Sequence, residues 1–183
     1  MTESTMATVT TALTGERGDL LHALTNARHF LRFTARELTD EQARTRTTAS
    51  ELTIGGLIKH VSAAELNWRE FVRRGRSALP WDGIDFADPA PGLYEDWAGE
   101  FRLLPGERLA EVLDRYAEIA AATDQALAEA DLDLIQDLPQ APWFNDTAWS
   151  NRRAFLHIIA ETAQHAGHAD IIRESLDGAK SMG

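Results

Sequence analysis

The stretch His157-Ile158-Ile159-Ala160-Glu161-Thr162-Ala163-Gln164-His165-Ala166-Gly167-His168 decides how this sequence is read. At roughly 100° per residue, Phe155, Ile158, Ile159, Thr162, Ala166, Ala169, Ile172 and Leu176 share one face of a helix. His165 lies inside that face, and Glu161 sits on its edge, about 40° away. Residues four apart stack one above the other, so these two side chains can reach one ion. His168 is further round and His157 further still. The pattern predicts a helix over 151–176, capped by Ser150 and stopped by Asp177-Gly178.

Three more long helical segments precede it. The first is expected over 15–38, where Leu20, Leu24, Ala27, Phe30, Leu31 and Thr34 recur at three- and four-residue steps. A short turn then starts at Thr39, with Gln42 placed to complete a capping box. The second helix is expected over 53–74, with Thr53 as cap, Ile54, Leu57, Ile58, Val61, Ala64, Trp68 and Val72 as the apolar stripe, and Gly75 as terminator. The third is expected over 107–130. Between the second and third, residues 76–106 hold four of the six prolines, which marks a long irregular crossover. A second loop, 131–150, holds Pro139 and Pro142. No β-pattern is visible, so the expected fold is an all-α four-helix bundle in one domain over 1–183, with 1–14 flexible. The long link between helices two and three favours a crossover over a simple up-down-up-down array.

The 183 residues suit one domain with a full-sized core, and a net charge of −11 argues against phosphate backbones and anionic membranes as partners. No cysteine is present, which excludes thiolate metal sites and a cysteine nucleophile. Any sulfur chemistry must therefore use a thiol carried by a small molecule. The Thr-rich start lacks the basic and apolar regions of a secretory signal, and no stretch is apolar enough to span a bilayer. A cytoplasmic location is expected, and a homodimer is left open.

A carboxylate and an imidazole buried together need compensation, and a divalent cation provides it for both. Carboxylate plus imidazole suits zinc, nickel or iron. Two ligands on one helix are too few. His60, at the flank of the second helix's stripe, is the best candidate for the third. A His60, Glu161, His165 set leaves open positions and a net charge near +1, the pattern of catalytic sites. The same four-residue spacing also serves ordinary surface pairs. His22 and His29 read as non-ligands.

Leu38-Thr39-Asp40-Glu41-Gln42, Ile54-Gly55-Gly56-Leu57-Ile58-Lys59-His60-Val61 and Glu161 through Asp170 resemble the DinB-like superfamily. The nearest likeness is to the branch with mycothiol-dependent maleylpyruvate isomerase and mycothiol S-transferases, and it spans about residues 16–178. The resemblance implies a bundle with a long crossover, a metal triad at His60, Glu161 and His165, and mycothiol as a co-substrate. Glu161 stands where many relatives have a histidine, and this variant is similar to that of the isomerase branch. His168 stands where many relatives have Gln, which implies a place behind the ligands. Arg152 and Arg153 are loose candidates for the thiol's polar groups.

Three functions fit these features. The first is an enzyme that ionises a low-molecular-weight thiol at a metal and delivers it to an electrophile, or isomerises one. The second is a metal-dependent hydrolase, for which Glu65 is a candidate base, with pairing to Arg69 as its plainer role. The third is a small-ligand binder without turnover. Trp81, Tyr94, Trp97, Trp143, Phe144 and Trp149 line a pocket or cover the core, and core cover is the expected role for most of them.

Overall fold

The computed structural model describes residues 13–181. The expected flexibility of 1–14 falls, for residues 1–12, outside the described residues. Four long helices form the bundle: α1 (Gly15–Thr34), α3 (Ile54–Arg74), α5 (Leu109–Glu129) and α6 (Asn151–Asp177). Two short ones, α2 (Asp40–Arg44) and α4 (Leu93–Glu100), lie in the links. Helix α1 packs chiefly on α6, and α3 packs on both α5 and α6. The consecutive long helices α1 and α3 are thus diagonal, while the long 76–106 link joins α3 and α5, which pack side by side. Among the described residues no helix is long and apolar enough to cross a membrane.

The expected caps form. Thr39 accepts a hydrogen bond from the Gln42 amide while the Gln42 side chain accepts one from the Thr39 amide. Thr53 and Ser150 accept from the amides of Gly56 and Arg153. Helix α1 ends at Thr34, four residues before the expected Leu38. Its last turn tightens, with Ala35 and Arg36 amides donating to Arg32 and Phe33 carbonyls, and Glu37 then turns left-handed at φ 59°.

Both loops carry more structure than their proline content suggested. The crossover holds a 3₁₀ turn at 76–78 as well as α4. The second loop contains strands β1 (Ile135–Asp137) and β2 (Ala148–Ser150), paired antiparallel with Gln136 opposite Trp149. Three residues are too few to display an alternation, so these strands leave no sequence signal. Gln136 fixes them to the bundle by donating to the Phe71 carbonyl at 2.9 Å and to Asn151 Oδ1 at 2.7 Å.

The core is two apolar clusters separated by a polar layer. One cluster surrounds Leu24, Phe71, Phe155 and Ile158, and the other surrounds Leu31, Leu57, Ile58 and Ile172. Between them in sequence, each long helix contributes a buried polar residue: Arg28, Glu65, Thr123 and Thr162. Arg28 donates through Nη2 and Nε to the two oxygens of Glu65, at 2.5 and 3.1 Å, and through Nη1 to Asp124 at 2.7 Å. This layer aligns α1, α3 and α5 in register.

Candidate metal centre

Helices α3 and α6 lie side by side, and their packing brings His60 to Glu161 and His165. One ligating atom from each of the three lies within 4.8 Å of the others. The His60 and His165 rings meet edge to face, with centroids 5.0 Å apart. Glu161 Oε2 is 3.2 Å from His165 Nε2, and Oε1 is 3.8 Å from His157 Nε2. The carboxylate thereby lies between two imidazoles of its own helix, in close contact with His165 alone. On the far side of His165, its Nδ1 is 3.4 Å from Nδ1 of His168. His168 thus adjoins His165 on the side away from Glu161.

Burial, more than the neighbouring His165 charge, drives the His60 imidazole down to about 4, against a smaller opposing effect of Glu161. Its hydrogen bond with His165 holds Glu161 below the usual carboxylate range, with burial opposing. The group is therefore poised as one carboxylate beside a neutral imidazole. Nδ1 of His60 is buried with no hydrogen-bond partner. An orphaned polar atom of this kind costs roughly 1–3 kcal/mol if nothing satisfies it. Two imidazoles, one of them with an unpartnered buried nitrogen, and a carboxylate are the donor set a divalent cation takes, so the residues present fit such an ion.

Phe101, at the end of α4, stacks on His60 with centroids 3.8 Å apart. That approach depends on Gly56, where a Cβ would fall 1.9 Å from the Phe101 carbonyl oxygen. The pair Gly55-Gly56 therefore makes room for the returning crossover, and Lys59 fastens it by donating to the Arg102 carbonyl and the Glu107 carboxylate.

Above the triad opens a cavity of about 650 Å³ whose lining includes His60, Glu161 and His157. Trp81, Trp97, Trp143, Phe144 and Trp149 form much of its wall, so these rings are cavity lining first, and only Phe144, Trp81 and Trp149 also pack on the core. Tyr94 stays outside, over half exposed at 54%. Helix α4 adds Glu100, whose carboxyl burial pushes up despite Lys59.

Other expectations change. Glu65 is sealed in the polar layer on Arg28, while Arg69 pairs with Glu70, so the partner named from sequence was the wrong arginine. Glu65 is absent from the cavity wall and is in no position to serve as a base there. Arg152 is held by Glu16 and Asp133, and Arg153 by Asp146 while it covers the Trp149 ring. Neither lines the cavity. His22 bonds Asn26 and His29 stacks on Phe33, and neither joins the cluster of His60, Glu161 and His165. Sequence reasoning missed His157 and Phe101. The four-residue steps 157, 161, 165 were a signal for the first. Nothing local announces the second.

A solved structure described as the conserved protein of a locus from Enterococcus faecalis has the same fold. It superposes with a TM-score of 0.60 over 91% of this chain and 100% of its own, at 18% identity. No curated protein matches the sequence. The profile of the mycothiol S-transferase family matches residues 19–178, nearly the whole bundle. The all-α fold is DinB-like, and the chain belongs to the mycothiol S-transferase family.

Proposed function

We propose that this protein is a metal-dependent S-transferase that uses mycothiol, with His60, Glu161 and His165 as the ligands of a divalent cation, zinc by preference of the donor set. The observation that carries this reading is the cluster of three ligating atoms at the base of an aromatic cavity. A cation there supplies a Lewis acid that lowers the pKa of a thiol brought to its open side. The chain has no cysteine, so the reacting sulfur is the co-substrate's own.

The protein's residues act around that centre. His165 contacts one oxygen of Glu161 at 3.2 Å and His157 faces the other at 3.8 Å, which favours one orientation of the carboxylate. Phe101 fixes the plane of His60. The aromatic wall limits water at the sulfur, where a desolvated thiolate is more reactive. The base that a hydrolase reading named, Glu65, is tied to Arg28 and absent from the cavity wall.

The test compares chelator-stripped and zinc-reloaded protein in conjugation of mycothiol to a generic electrophile. Loss on stripping and recovery on reloading are expected. Undiminished thiol-dependent turnover without metal refutes the proposal.

A further inference from the structure

The cavity wall has a composition that bears on what can enter. Its polar side chains are Asn67, Glu100, Glu161 and two histidines, and among the described residues no lysine or arginine lines it. The rest is aromatic apart from Ala64 and Pro80. Trp68 and Trp149 stack at 4.7 Å, and Trp143 meets Trp81, Trp97 and Phe144 at 5.7–6.0 Å between centroids. Trp143 is 47% exposed and joins the crossover to the 131–150 loop across the mouth. A space of this size accommodates a ring-bearing molecule.

The charge arithmetic points the same way. A divalent cation with one carboxylate leaves +1, and a thiolate cancels it. A second anion would then face Glu100 with no lysine or arginine in the wall itself, in low-dielectric surroundings where an unpaired charge is costly.

We infer that the electrophile taken by this cavity is an uncharged, flat, ring-bearing compound and that carboxylate-bearing electrophiles are disfavoured. This assigns the second substrate of the transferase and rests on that proposed function. For an aryl chloride the thiol proton leaves to solvent, a sulfur lone pair forms the S–C bond, and the C–Cl pair departs with chloride. Aromatic stacking favours the neutral ring at Trp143 and its neighbours. The absence of a lysine or arginine from the wall removes what a substrate carboxylate would need once the thiolate is bound, which separates this cavity from one suited to a small dicarboxylate.

The test uses two matched pairs on the full-length chain. Inert 1,3-dinitrobenzene and 3,5-dinitrobenzoate are titrated by calorimetry into zinc-loaded, mycothiol-saturated protein and into metal-free protein. The neutral probe is expected to bind at least ~10-fold more tightly in both forms. Trp143→Ala should cost it roughly tenfold, and Asn67→Lys should narrow the gap by strengthening the carboxylate. Equal binding, or preference for the carboxylate, overturns the inference. Turnover of 2-chloro-1,3-dinitrobenzene and 4-chloro-3,5-dinitrobenzoate with mycothiol, each relative to its uncatalysed rate, is then compared. If the binding order holds but neither is conjugated, the transferase reading fails and the cavity inference stands. If the carboxylate is conjugated faster, the cavity inference fails and the transferase stands. In the Trp143→Ala variant, KM should rise for the neutral electrophile and stay level for mycothiol, and the reverse pattern overturns the assignment of the cavity to the electrophile.

Discussion

His60 lies flat against Phe101, with ring centroids 3.8 Å apart and planes 20° from parallel. The crossover therefore reaches back to hold a proposed ligand in place. Phe101→Ala removes that hold without removing a ligand. Zinc affinity, measured by competition with a chromophoric chelator, should fall roughly tenfold, within the range for residues that orient ligands. An unchanged affinity would show that α3 alone orients His60.

Removal of a ligand should do more. His60→Ala, His165→Ala and Glu161→Gln should each weaken zinc binding at least ~100-fold, beyond the effect of an orienting residue. Elemental analysis of the purified variants checks this against wild type. Full metal content in the His60 and His165 variants together sinks the triad.

Gly56→Ala places a methyl group 1.9 Å from the Phe101 carbonyl oxygen, a distance no backbone tolerates. Either α3 or the crossover must move. A loss of about 2–4 kcal/mol in urea unfolding is expected, comparable to other severe packing errors, together with weaker zinc binding. Ser62→Ala in the same helix serves as a control for helix disturbance.

Glu65 is a structural residue in this account. Glu65→Ala leaves Arg28 buried without its main partner and should cost about 3–5 kcal/mol. The pair Arg28→Met with Glu65→Leu should recover most of that loss, since apolar replacement of both partners is often neutral or better. At a temperature where the double variant is folded, its kcat should match wild type. A large drop in kcat in the folded variant would return Glu65 to the chemistry.

Acid should destabilise the metal-free protein through His60. The imidazole titrates near 6.5 in the unfolded chain and at about 4 in the fold, because burial disfavours its charged form. Between those values the unfolded chain binds a proton that the folded chain does not, so stability falls as pH falls through that window. The effect is bounded by about 3 kcal/mol. Urea unfolding at pH 7 and pH 4.5 should show a larger drop for wild type than for His60→Gln. Equal drops would mean His60 titrates normally in the fold.

The sequence by itself determined the bundle. Apolar residues at helical spacing, and caps at Thr39, Thr53 and Ser150, are local features, and local features survive in one dimension. It also nominated the triad, because Glu161 and His165 sit four apart on one helix and His60 on the flank of another. Tertiary structure alone decided the rest. Glu65 and Arg28 are thirty-seven positions apart, and neither helix carries a signal that picks the other. The crossover's return to Gly56, and the gathering of rings from two proline-rich loops into one wall, depend on how α3, α5 and α6 pack. Those contacts are long-range pairings, and a linear pattern shows that a residue is apolar or charged without showing which distant partner will satisfy it.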